Sequence, residues 1–304
     1  MKLPALGVAI ALLTGPAVVF AADLNESYEQ LQQAVAKKDP ALVKQLVLEI
    51  HPLIKEALAS PAPQAAEEKV QWGSQQDYVK GIATYADYAL YATAVVSPPT
   101  AMVDLIATLE QTSAKSKYLD EAYGPYMTAL TKTGAGAKVP AIAEKALANF
   151  PENEDLLLVL ADNAVSRRQN DRALNYANRL VASLVRHPRP EGATAADWDR
   201  KRNAALGRGY WISGIISGEQ NQYAAADRNL RAALPLIQGA DTMAGPALFY
   251  LGVANYNIAK MTNNKPKMLE AAKFSDQAAA IAGPLQEQAW KNAALIKKEA
   301  AAMR

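Results

Sequence analysis

Cysteine is absent from this 304-residue chain, which removes disulfides, thiolate nucleophiles, cysteine metal sites and lipid attachment through a thiol. Histidine is nearly absent. The two that occur, His51 and His187, have no second histidine at ligand spacing, so a metal site built on histidine pairs is excluded. His51, beside Pro52 and near Glu49, reads as a helix-end polar contact, and His187 as a solvated residue of a proline-bounded loop. Charge of either sign is nearly balanced: 32 Lys and Arg against 30 Asp and Glu leave a formal +2, too little to draw a polyanion from a distance. The local excess of arginine over residues 160–210 reads as a solvated face of helices.

Motifs for covalent or phosphate chemistry are missing as well. No GxSxG occurs, no SxxK is paired with a base motif, and Gly134-x-Gly136 and Gly207-x-Gly209 lack the preceding strand a phosphate loop needs. The acidic pairs Glu67-Glu68 and Glu152 with Glu154 and Asp155 sit at expected helix starts, where they offset the helix dipole. The residues therefore predict no enzyme, no cofactor and no metal. Runs of isoleucine and valine are short and aromatics make up 7%, so a sheet is not predicted either.

Alanine and helical spacing are abundant. Half of the residues are hydrophobic, enough for a continuous core, and proline or glycine punctuates the apolar stripes at regular intervals. Apolar spacing and breakers predict helices over about 24–38, 40–59, 66–96, 100–113, 118–132, 140–150, 155–168, 171–185, 194–217, 223–237, 246–259, 266–282 and 284–303. Pro52 and Pro125 are expected to kink or restart their helices. The first 22 residues read as an export signal, with Lys2 as the positive region, Ala5 to Phe20 apolar, and Val19-Phe20-Ala21 as a processing site. The expected location is the periplasm, with secretion as the alternative and no membrane insertion after cleavage.

From Ala141 to Leu184 the spacing becomes that of helical hairpins. Pro151 closes one unit after Gly134 and Ala146-Leu147; Leu160-Ala161, Ala173 and Ala177 mark the next. Gly214, Tyr223, Ala226 and Ala233-Leu234 mark a third, and Leu251-Gly252, Ala272, Ala279 and Pro284 a fourth. This series resembles the tetratricopeptide repeat (TPR), whose pattern of roughly 34 residues places small residues where paired helices cross. The resemblance covers residues 118–304 moderately and 24–117 in style. It implies an all-α fold, an α-α superhelix of antiparallel hairpins with residues 284–303 as a C-terminal capping helix. The domains expected are a 1–22 signal, a 23–117 helical region and a 118–304 repeat region, with one continuous solenoid over the last two as the alternative.

In such a family the first helix of each pair lines a concave groove. Projected onto this chain, that groove carries Asp155, Leu158, Asp162 and Ser166, then Arg208 and Trp211, then Phe249, Tyr256 and Asn257. The implied function is a non-enzymatic scaffold that holds a protein or peptide partner, without nucleic acid. The lysine-and-asparagine clamp some members use for a C-terminal carboxylate is not matched. A second reading comes from tyrosine, 13 residues against 4 phenylalanines. Tyr78, Tyr85, Tyr88 and Tyr91 recur on one broad helical face, where amphipathic rings suit a small molecule or glycan.

Overall fold

The computed structural model describes residues 16–189 and 192–303. These form thirteen α-helices and two short 3-10 turns, with no strand among the described residues. The expected export signal falls on residues 1–15, outside the described residues, and on the first turns of the first helix. No helix among the described residues is long and apolar enough to cross a membrane. The chain gathers into two compact units that divide between Lys138 and Val139.

The first unit contains α1 (Pro16–Lys37), α2 (Pro40–Ala59), α3 (Ala66–Ala94), α4 (Pro99–Thr112) and α5 (Lys117–Lys132). Asp39 starts α2 by accepting from the Ala41 and Leu42 amides at 3.1 and 3.0 Å, and Pro40 and Pro99 occupy first-turn positions where no amide is missed. Each helix packs on the next, and α1 on α3, α2 on α4 and α3 on α5 as well. The core is Leu31, Val43, Ile50, Ile82, Leu90, Leu105, Leu109 and Leu119, all buried. Pro52 and Pro125 do not end their helices: α2 and α5 run through them. A proline removes one backbone bond at a cost of about 3 kcal/mol, which packing of the flanking turns (Ile50 and Ile54, Tyr123 and Tyr126) offsets.

The second unit contains α6 (Val139–Leu147), α7 (Glu154–Ser166), α8 (Asn170–Arg186), α9 (Ala195–Glu219), α10 (Tyr223–Ala233), α11 (Asp241–Thr262), α12 (Lys265–Ala279) and α13 (Gln286–Ala302). Here α7, α9, α11 and α13 touch in series, while α8, α10 and α12 pack chiefly on their flanking odd-numbered neighbours. The α11 helix begins at Asp241, five residues before the proline at which sequence spacing starts it. Pro246 thus sits in the second turn, and the carbonyl of Met243 just before it accepts the Trp211 indole N–H at 2.8 Å.

Small residues set how closely each pair approaches. Ala161 and Ala164 of α7 meet Ala173 and Ala177 of α8. A Cβ at Gly214 would stand 2.5 Å from Leu230 of α10, and one at Gly252 would stand 2.4 Å from Ser275 of α12. One turn geometry recurs where an odd helix hands over to an even one. Lys38, Arg168, Asn221 and Asn263 all take positive φ, between 49° and 59°. The amide of the following residue then bonds back five residues: Asp39 to Ala34, Gln169 to Ala164, Gln222 to Ser217 and Asn264 to Ala259. This satisfies a carbonyl the helix end would otherwise leave unpaired. None of the four is glycine.

Candidate functional site

The nine residues projected onto a groove all lie on α7, α9 and α11, and the structure links some of them directly. Asp162 of α7 accepts from Arg208 Nε of α9 at 2.7 Å, and the Arg208 guanidinium lies 4.7 Å from the centroid of the Trp211 ring. Trp211 in turn donates to the Met243 carbonyl of α11. One chain of contacts therefore crosses three successive odd helices. Asp155 adds a second link between α7 and α9 through Lys201, at 2.8 Å. Farther along, the Tyr256 hydroxyl donates to Glu299 of α13 at 3.0 Å, beneath the Lys260 ammonium at 5.3 Å from its ring.

The other members stand apart. The Ser166 hydroxyl donates to Asn163 of its own helix, and the Asn257 amide to Val253 of its own. Phe249, half-buried, meets the Tyr250 ring edge-on at 5.3 Å, and Leu158 is half-buried. Charged members of the set thus join helices to one another. Half-exposed pairs of this kind contribute about 0–1 kcal/mol each, so their main effect is to fix side-chain positions.

Two clusters lay outside the sequence reading. Asn255 of α11 is fully buried and donates to Asp227 Oδ1 at 2.6 Å and to the Leu251 carbonyl at 2.8 Å, while accepting from Arg231 Nη2 at 3.0 Å. Arg231 also bonds Glu270 of α12 at 2.8 Å, which lowers the Glu270 pKa, with help from Lys267. The sequence signal was a lone asparagine in the otherwise apolar stripe Leu251, Asn255, Ala259. Alongside, a shallow depression of about 760 Å³ opens between Leu234, Phe274 and Leu269, with Arg231 lying 5.1 Å over the Phe274 ring.

His187 is the second. It is the C-terminal cap of α8, not a solvated loop residue: Nδ1 contacts Glu154 and Nε2 lies 3.4 Å from Glu152. Ser183, Arg179 and Arg186 hold the same acidic turn, at 2.7 Å to the Glu152 carbonyl, 2.8 Å to the Pro151 carbonyl and 2.6 Å to the Glu152 carboxylate. Burial alone would lower the imidazole pKa. The hydrogen bonds and charges of Glu154 and Glu152 together outweigh it, and the pKa is raised. His51 lies within α2, because that helix runs on past Pro52, and burial raises the pKa of the Asp87 carboxyl against smaller opposing effects of Ser116, Ser113 and His51. No group of three or more acidic, histidine or cysteine side chains among the described residues is arranged to hold a metal.

In the first unit the tyrosine face is more extensive than the sequence spacing indicated. Tyr28 of α1 meets Tyr85 of α3 edge-on at 5.3 Å, and Tyr85 meets Tyr88 at 5.9 Å. Tyr88 then meets Tyr118 of α5 at 5.7 Å, and Tyr118 stacks on Tyr91 at 5.6 Å. The row spans α1, α3 and α5. Tyr78 lies beside it, 50% exposed, its hydroxyl on Asn25 at 2.9 Å. The Tyr91 hydroxyl donates to Glu121, and burial together with that carboxylate pushes its pKa up to about 12. Burial first, then neighbouring rings, raise Tyr85 too, so these phenols are protonated donors at neutral pH. No protein-family model and no curated protein matches this chain.

Proposed function

We propose that this chain is a non-enzymatic, TPR-like scaffold, exported to the periplasm or beyond, which binds another polypeptide along the odd-numbered helices of its second unit. The observation that carries the reading is the contact series α7, α9, α11, α13 beside even-numbered helices that pack chiefly on odd ones. When one layer of a hairpin stack is in closer contact than the other, the stack curves toward it, and side chains on that layer converge on a concave face. Ala161, Gly214 and Gly252 support the family likeness, each a small residue at a helix crossing of its pair. The α13 helix, packed on α11 and α12 and exposing Trp290, Lys291 and Lys298 elsewhere, suits an end cap.

On such a face Arg208, Trp211 and Phe249 present a guanidinium and apolar rings held in fixed positions, which limits the entropy lost when a peptide docks. A photo-crosslinking residue at position 208 or 249 tests this. Crosslinks to polypeptide from those positions, and none from exposed Asp276 on α12, are expected; equal labelling from both sides overturns the reading. The second reading, a glycan or small molecule bound on the tyrosine face, is favoured by the ring row of the first unit. It predicts a thermal shift with cell-wall oligosaccharides that vanishes on Tyr88→Ala.

A further inference from the structure

The tyrosine row of the first unit carries features that packing alone does not require. Gly81 is exposed in the interior of α3, and a Cβ built there meets nothing within 4 Å. Glycine in a helix interior is unfavourable, and Gly214 and Gly252 show one justification for it, a neighbouring side chain within 2.5 Å. Gly81 has no such neighbour. Helical spacing puts it on the same face as Tyr78, Tyr85 and Tyr88, so the missing side chain leaves a gap in the aromatic face where another backbone can approach closely.

The rings around that gap do not form a flat platform. Successive planes meet at 89°, 52° and 58°, and only Tyr91 and Tyr118 are near parallel, at 21°. Steep angles make notches between rings, which admit compact five-membered rings such as that of proline. The centroid separations, 5.3 to 5.9 Å, approximate the ~6 Å that two residues advance along a polyproline II helix. Among the described residues the hydroxyls of Tyr28, Tyr85, Tyr88 and Tyr118 hydrogen-bond to no protein group. Polyproline II carbonyls have no internal partners and accept from such donors. Charged groups flank the row: Glu29 adjoins Tyr78 near one end, and at the other Glu121 adjoins Tyr91 while Lys117, one turn away on α5, lies 5.1 Å from the Tyr118 centroid.

We propose that the Tyr28, Tyr85, Tyr88 and Tyr118 row, open over Gly81, binds a proline-rich segment in polyproline II form with basic residues at its ends. The row belongs to the first unit and the α7 to α13 series to the second, and the proposal rests on the scaffold reading only in taking a polypeptide as ligand. The test uses the full chain and a fluorescein-labelled peptide of ~12 residues, Leu-Pro-Pro repeats flanked by arginine, read by anisotropy. Saturable binding is expected, at least ten-fold weaker for Tyr88→Ala and for Gly81→Leu and unchanged for exposed Leu269→Ala. Gly81→Leu fills the gap while favouring the helix, so its Tm should not fall, and weaker binding then reports the site rather than the fold. No saturable binding, or full affinity in Gly81→Leu, overturns the proposal. Tyr88-dependent binding of chito-oligosaccharides in place of the peptide also overturns it. Crosslinks from positions 208 and 249 that persist through such a failure would leave the scaffold reading standing.

Discussion

Replacing a helical glycine by alanine should act in opposite directions at two sites of this chain. In the open, alanine gains about 1 kcal/mol over glycine in a helix interior. At Gly81 nothing lies within 4 Å of the new methyl, so that gain is expected in full. At Gly214 the methyl would stand 2.5 Å from both Cγ and Cδ2 of Leu230 and 3.1 Å from the Leu230 amide nitrogen. Leu230 is fully buried and its Cγ is one bond from Cβ, so relief requires α10 to move off α9. Because no side-chain rotation relieves the clash, overpacking here falls at the upper end of the usual range, about 2–3 kcal/mol, and subtracting the helix gain of about 1 kcal/mol leaves a net loss of about 1–2 kcal/mol. Hydrogen exchange read on fragments of α9 and α10 should speed up roughly 5- to 30-fold in Gly214→Ala. The same readout on α3 should slow in Gly81→Ala. Unchanged or slower exchange in Gly214→Ala, or faster exchange in Gly81→Ala, would refute the packing argument.

Other outcomes follow from single contacts. Asn255→Ala leaves the half-buried Asp227 and Arg231 groups without their amide partner and is expected to cost about 1–3 kcal/mol, seen as a lower urea midpoint at constant slope. His187 has a raised folded-state pKa, so its stabilising effect is complete below its ordinary value of 6.5 and is lost as pH rises through the folded value. The Tm gap between the native chain and His187→Gln should therefore be widest at acid pH and close as the imidazole deprotonates; a gap that widens with pH contradicts the pairing. A double-mutant cycle on Asp162→Asn and Arg208→Met should return a coupling under about 1 kcal/mol, because both side chains remain partly in water. Arg168→Gly should raise stability by about 1 kcal/mol in thermal melts, since its φ of 56° burdens any residue with a Cβ.

Helix content and most helix limits were legible in the sequence because breakers and periodicity are local. Asp39-Pro40, Ser97-Pro98-Pro99 and the apolar stripe Val43, Leu46, Val47, Ile50 state where chain must turn and which face must hide. The start of α11 slipped to Asp241, where the Trp211 indole holds the Met243 carbonyl of a turn that local preference leaves open. The candidate groove was legible only as positions on helix faces. Which of its charges meet one another could not be read, because Asp162 and Arg208 are 46 residues apart and their meeting depends on how α9 lies on α7. The same holds for His187, whose partners Glu152 and Glu154 approach it only once α7 and α8 pair.

The sequence by itself determined an alanine-rich, cysteine-free, all-helical chain with a tyrosine-bearing helix, since composition and spacing act within a few turns of backbone. Tertiary structure alone decided that Tyr28 and Tyr118 join Tyr85, Tyr88 and Tyr91 in one row, and that Gly81 stays open while Gly214 and Gly252 are closed over. It also decided that non-glycine residues close four of the odd-to-even turns with the same bond. The reason is one of range: helix formation reads neighbours three and four residues away, whereas a surface is assembled from helices that meet only after the chain has folded back on itself.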